Sequence, residues 1–204
     1  HLSALGINDA IDSNYAISKL DGEKKILENF PMATILRPSV VFSVDDNFTT
    51  NFMTLLSRMP LFPLYYSGNT KFTPIHCSDL IQIISHVISN NINSKIIECV
   101  GPEVFTFKEI LSNLLNLIGK KRILFPLPLP LAKFTAKLFQ LLPKPLITED
   151  QLKLLKYNNV VSGKYKTNFE IGVPSKRFFK DEVKKYCYMW REGGQFSTEK
   201  YDQN

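Results

Sequence analysis

Tyr15-Ala16-Ile17-Ser18-Lys19 sets a phenol and an ammonium four residues apart, which on a helix places them on one face, one turn from each other. A free tyrosine titrates near pH 10 and is a poor base at neutral pH. A cation held within about 4–6 Å favours the phenolate and lowers that value. Lowering it by about three units takes about 4 kcal/mol, which a buried pair beside a cationic ring would supply. The chemistry on offer is that of a general acid–base couple for hydride transfer, with Tyr15 and Lys19 as candidate catalytic residues. The spacing alone carries little. Eight tyrosines and twenty lysines in 204 residues give about 0.8 such pairs by chance, and an amphipathic helix with a half-buried tyrosine and a surface lysine accounts for one equally well.

The elements around the pair give it a frame. His1-Leu2-Ser3-Ala4 reads like the end of a strand already under way. Asp12-Ser13-Asn14 offers an N-cap, and Tyr15 to about Glu28 is predicted to be helical, closed by Phe30-Pro31. Residues 33–36 form a short buried strand stopped by Pro38, and 40–42 continue extended before a polar loop over 43–47. Helices are expected over 48–59, ended by Pro60 and Pro63, and over 79–90, where Ser78 and Asp79 read as the cap. Lys95 to Val100 is a strand, and Thr106-Phe107-Lys108-Glu109 fits a capping box opening a helix to Ile118. Residues 122–125 are a strand candidate. Prolines 126, 128 and 130 then alternate with leucines, followed by helices over 131–142, 148–156 and 175–190.

Short buried strands separated by helices predict an α/β fold with a parallel sheet, followed by a smaller, mostly helical C-terminal lobe. The expected division is 1–105 for the sheet domain, with a lobe-type insertion near 44–71, and 106–204 for the lobe. Composition agrees with a globular chain: 44% hydrophobic and 22% charged residues exclude disorder. No apolar run reaches about 18 residues, so no bilayer span is expected. Three widely spaced cysteines, Cys77, Cys99 and Cys187, suit a reducing compartment better than a disulfide framework or a zinc site. The net charge of +6 is carried mainly by lysine, with no arginine–aromatic cluster, so no nucleic-acid partner is expected.

Three segments in order sharpen the reading: Tyr15 to Lys19; Leu36-Arg37-Pro38-Ser39-Val40-Val41-Phe42; and Phe72-Thr73-Pro74-Ile75-His76-Cys77-Ser78-Asp79. Together they resemble the extended and atypical short-chain dehydrogenase/reductase families, as does the turn from Glu98 to Thr106. Within them, 31–42, 142–151, 158–161, 169–174 and 186–196 are similar to the branch that contains the NAD(P)-binding accessory subunit of respiratory complex I and its bacterial relatives. The resemblance covers nearly the whole chain. It implies the C-terminal portion of a Rossmann-type parallel sheet holding NADP(H) or NAD(H), with the nucleotide held rather than turned over. It further implies complex I peripheral-arm subunits as partners. The location would be cytoplasmic and peripheral on a bacterial inner membrane, or the mitochondrial matrix side in a eukaryote.

By the same resemblance, Ser3, Tyr15, Lys19, Pro38, Ser39, Val40 and Val41 are the cofactor-side residues. The families' Gly-rich phosphate turn has no counterpart among the nine glycines, so the chain reads as the C-terminal part of a longer protein, and this stretch by itself is expected to bind dinucleotide weakly. Ser3 precedes Tyr15 by only 12 positions, and Ser43 stands where the families carry glycine. Both departures favour a bound cofactor over the alternative, an active reductase, epimerase or dehydratase on a nucleotide sugar or related carbonyl compound. Arg37 either neutralises a phosphate or braces the strand end. His76, Cys77 and Cys99 read as packed residues, and His86 has no partner at metal spacing. The stretch 123–147, apolar with Lys133, Lys137 and Lys144 beside it, offers a membrane-surface or partner contact, or simply core.

Overall fold

The computed structural model describes residues 1–128 and 148–197. In chain order it contains α1 (Asn14–Asn29), β1 (Ile35–Pro38), β2 (Val41–Phe42), α2 (Thr49–Arg58), β3 (Leu61–Leu64), β4 (Lys71–Phe72), β5 (Ile75–His76) and α3 (Cys77–Ser89). There follow β6 (Ile96–Cys99), β7 (Phe105–Thr106), α4 (Phe107–Leu117), β8 (Ile123–Pro126), α5 (Glu149–Leu154), β9 (Lys166–Thr167) and α6 (Phe179–Lys184).

The buried runs 33–36 and 96–99 pair as the parallel strands β1 and β6, in register from Ile35 with Ile96 to Pro38 with Cys99, and β9 adds a further parallel strand. Residues 1–3 extend this sheet on its other side. Leu36 N–H donates to the His1 carbonyl and Ser3 N–H to the Leu36 carbonyl, each at 2.8 Å, and Leu2 bridges Leu36 in parallel. Helix α3 crosses from β5 to β6, burying Leu80 and Ile83 against Leu36, Ile75 and Ile97. The result is an α/β fold around a parallel sheet whose strands all end on the same side.

A second, larger core holds α2, β3 and α4 together: Met53 and Leu56 pack with Phe62, Phe107, Ile110 and Leu111, all buried. Strand β3 was not legible, because Pro60 and Pro63 read as helix breakers. It pairs in parallel with β8, Leu61 opposite Ile123 through Leu64 opposite Pro126, in a two-stranded sheet where a missing proline N–H costs nothing.

Two expectations need correcting. The cap of α3 is His76, whose Nδ1 accepts from Ser78 N–H at 3.2 Å; Asp79 lies inside the first turn instead. The helix expected over 175–190 is helical only from Phe179 to Lys184, followed by a 3₁₀ turn at Cys187–Trp190. The reason is long-range. Asp79 Oδ2 accepts the backbone N–H groups of Lys176 and Arg177, Asp79 Oδ1 takes the Arg177 guanidinium at 2.9 Å, and Glu103 takes Phe179 N–H. Residues 175–178 are thereby held out of the helix. The helix expected over 131–142, and most of the contact surface suggested for 123–147, lie outside the described residues.

Candidate functional site

Tyr15 stands in the first turn of α1, and that turn is fully capped. Ser13 Oγ accepts Ala16 N–H at 3.3 Å, while Asp150 takes the N–H groups of Asn14 at 2.8 Å and Tyr15 at 3.1 Å. Ser13 Oγ also donates to Asp150 Oδ2. Asp150 belongs to α5, which opens with its own capping box at Thr148 and Gln151. The open N–H groups of the helix bearing Tyr15 are therefore satisfied partly by a residue 135 positions away. Partial burial raises the Asp150 carboxyl, but the Tyr15 and Asn14 amides and the Ser13 hydroxyl outweigh it, and the net shift is downward.

Ser3, Tyr15 and the Pro38–Val41 segment come together on one cavity of about 440 Å³. It sits where the parallel strands end, the usual place for a ligand in such sheets. Ser3 is 4% exposed, and its hydroxyl finds no hydrogen-bond partner among the described residues. Tyr15 lines the cavity but is 44% exposed, and what burial it has pushes its phenol up. Lys19 stands apart from the lining: its Nζ donates to the Leu2 carbonyl at 3.4 Å and lies 5.7 Å from the Tyr15 ring centroid. Without a bound cation, then, the tyrosine is shifted away from the phenolate, opposite to what the four-residue spacing suggests.

The 38–41 segment is held by its backbone. Pro38 carbonyl accepts Leu5 N–H at 2.9 Å, Ser39 N–H donates to Cys99, and Val40 carbonyl accepts Ile75 N–H. Asn159 fixes the rest. Its Oδ1 takes Ser39 Oγ at 2.5 Å and Val40 N–H at 3.1 Å, and its Nδ2 donates to the Leu5 carbonyl at 2.8 Å. Gly6, at φ +78°, passes directly beneath: a Cβ there would lie 2.9 Å from the Asn158 carbonyl oxygen. Asn159 joins three distant segments, and neither it nor Asp150 was given a site role from the sequence. The only local signal was the Asn158-Asn159-Val160-Val161 run, which says nothing about its partners.

Other candidates resolve into structural roles. Arg37 is buried and makes a two-pronged ion pair with Glu23 of α1, at 2.8 and 2.6 Å, with its guanidinium 4.9 Å from the Tyr165 ring centroid. It braces the strand against α1. His76 lies edge-on to Phe42 and 3.9 Å from Glu182, and burial foremost lowers its imidazole. Cys99 is buried and its thiol is pushed up to about 12, first by that burial and then by the Glu98 charge, while Cys77 is only half-buried. No metal-holding cluster occurs among the described residues.

No family model matches the chain. In sequence it is similar to the mitochondrial NADH dehydrogenase (ubiquinone) 1 alpha subcomplex subunit 9 of Dictyostelium discoideum, 32% identical over 57% of this chain and 33% of that protein. The Arabidopsis thaliana protein of the same name is 28% identical over 79% of this chain and 43% of its own length. The mitochondrial NADH-ubiquinone oxidoreductase 40 kDa subunit of Neurospora crassa is 24% identical over 85% and 46%. The chain thus spans between a third and a half of these relatives. Among solved structures it resembles dTDP-glucose 4,6-dehydratase of Streptomyces venezuelae, with a TM-score of 0.58 at 17% identity over 86% of this chain and 50% of that one. It also resembles UDP-glucuronic acid 4-epimerase of Bacillus cereus, at 0.54 and 18% over 85% and 52%. The chain has the Rossmann-type α/β fold of these dehydratases and epimerases, and its sequence relatives are subunits of mitochondrial complex I.

Proposed function

We propose that this chain is part of an NAD(P)(H)-binding accessory subunit of NADH:quinone oxidoreductase, in which the nucleotide is held as a structural ligand. In this reading residues 1–105 carry the nicotinamide side of the site, with an insertion near 44–71, and the C-terminal lobe begins at 106. The observation that carries this reading is the reach of the sequence match. It extends to 85% of the chain in a complex I subunit, through the C-terminal portion as well as the sheet.

The site's residues fit the group. Ser3 offers a buried hydroxyl with no partner among the described residues, Tyr15 a phenol raised by burial, and Pro38 to Val41 an uncharged surface against which a nicotinamide ring can lie. When bound, a nicotinamide supplies a hydride donor or acceptor. The residues here favour holding it. Burial raises the Tyr15 phenol and Lys19 Nζ donates to the Leu2 carbonyl, which supports Tyr15 as a hydrogen-bond donor to the held group. The location that follows is peripheral to the membrane bearing complex I, on the side of the peripheral arm. No helix among the described residues is long and apolar enough to cross a bilayer.

Tyr15→Phe tests the holding role. In the native protein carrying this chain, the variant should retain bound NAD(P)H and assembly within a few-fold of wild type. A loss of NAD(P)H-dependent turnover by orders of magnitude, with assembly intact, would establish an enzyme instead.

A further inference from the structure

We infer that Asn159 is a positioning residue for the nicotinamide half of the cofactor. Its side-chain amide sets the 38–41 segment against Leu5, so that a residue of the C-terminal part of the chain fixes the surface on which that ring lies. The inference rests on the proposed function for the place of the ring along 38–41.

The need for such a residue arises in the backbone. Where β1 ends, the chain changes its neighbouring strand within two residues: Ser39 N–H still donates to the carbonyl of Cys99 in β6, whereas the Val40 carbonyl already accepts from Ile75 in β5. Pro38 has no N–H to give. The Val40 N–H, at the changeover, goes to a side chain, Asn159 Oδ1, at 3.1 Å. On the other side of the segment, Leu5 N–H donates to the Pro38 carbonyl at 2.9 Å, and the Leu5 carbonyl accepts Asn159 Nδ2 at 2.8 Å. One amide thus closes a ring of hydrogen bonds through residues 5, 38–40 and 159, all of which line the cavity. Closing it takes an acceptor and a donor on a single planar group, which neither a carboxylate nor an aliphatic side chain provides.

The second ground is that the place of Asn159 does not depend on its amide. Its N–H donates to the Lys71 carbonyl at 2.7 Å and its carbonyl accepts Thr73 N–H at 3.1 Å, which sets it beside Phe72 of β4. Ser39 Oγ donates to Oδ1 at 2.5 Å and accepts Thr73 N–H at 3.3 Å, so the hydroxyl ties the same two stretches together. The main chain at 159 is therefore anchored on residues 71–73, and the side chain alone spans from there to Leu5 and Val40. Replacing the amide loosens the surface along 38–41 and leaves the C-terminal stretch docked. That separates positioning from folding, and it confines the effect to the half of the nucleotide that lies on this surface.

The test compares NADPH with 2′-phospho-ADP-ribose, the same nucleotide without its nicotinamide, by calorimetric titration of the native protein carrying this chain. Asn159→Asp keeps the acceptor and sets a second oxygen against the Leu5 carbonyl; Asn159→Leu removes both ends. Each is expected to weaken NADPH about tenfold or more, the scale of one lost hydrogen bond, and to leave 2′-phospho-ADP-ribose within about twofold of the unaltered protein. A folded variant that binds NADPH as the unaltered protein does overturns the inference, and so does one that loses both ligands equally, which would mark Asn159 as structural only. Hydrogen exchange on the unaltered protein keeps the test standing if neither variant folds. NADPH should protect 38–41 and 157–160 together, and 2′-phospho-ADP-ribose should protect neither; NADPH protection that leaves 157–160 unchanged overturns the inference. The two readings fail differently. An unaltered protein that binds neither ligand overturns the cofactor reading and this inference with it, whereas one that prefers NADPH, with folded variants that keep the preference, overturns this inference alone.

Discussion

The most consequential single contact outside the cavity is the pair between Arg37 and Glu23. Both side chains are almost wholly buried, at 5% and 7% exposure, and joined by two short bonds. Compare Lys24 and Glu28, an exposed pair on the same helix at 3.9 Å. Surface pairs of that kind contribute a few tenths of a kcal/mol. Breaking a buried pair leaves an uncompensated charge and costs about 3–5 kcal/mol. Glu23→Gln should therefore lower the stability of the protein by about that amount in denaturant titration, whereas Lys24→Ala should change it little. An equal, small effect for both would show that water reaches the Arg37 guanidinium. Residue types at this scale were partly legible. The Tyr15 and Lys19 spacing was visible in the chain and so was Arg37 before Pro38, but Glu23 as the partner of Arg37 was not. Nothing in local spacing says that a helix residue will face a strand residue 14 positions on.

At the scale of elements, α1 is fastened to the C-terminal part of the chain by Asp150. The carboxylate meets the first-turn amides of α1, where the helix macrodipole also favours negative charge. Its folded-state pKa is depressed, so its stabilisation is fully present above the unfolded value of about 4. That stabilisation is lost as pH falls through the lower folded value. Asp150→Asn should thus cost about 1 kcal/mol at pH 7, the cost of a helix cap, and remove part of the stability loss seen on acidification below pH 4. A thermal-melt series from pH 7 to pH 2 on both proteins reads this; parallel curves would deny the cap its charge. The contrast with sequence legibility is physical. The capping boxes at Thr106 and Thr148 close within four residues and could be read directly. The non-helical 175–178 stretch could not, because its conformation is set by Asp79 and Glu103, carboxylates 97 and 76 positions away. The two-residue strands β2, β4, β5, β7 and β9 are too short to leave any alternation to read.

For the whole molecule, the parallel sheet was legible because buried strands and helices alternate through the first hundred residues, while the residues at its strand ends were named only through the family resemblance. The cavity's far wall was not, since Gln151, Leu154, Leu155 and Asn159 reach it from a stretch that reads only as a short helix and a loop. These are also the residues that close the site around Tyr15 and the 38–41 segment, so cofactor retention and the placement of the C-terminal part are expected to be coupled. The central claim, that the protein is a nucleotide-holding subunit of complex I, meets its most direct test in its own host. The native protein is tagged at its C-terminus, membranes are solubilised gently, and a native gel is stained for NADH:quinone oxidoreductase activity. The expected result is co-migration of the tag with that activity, with NADPH or NADH released from the excised band on denaturation. A tag found only in a small free species, with the active band unchanged, would contradict it.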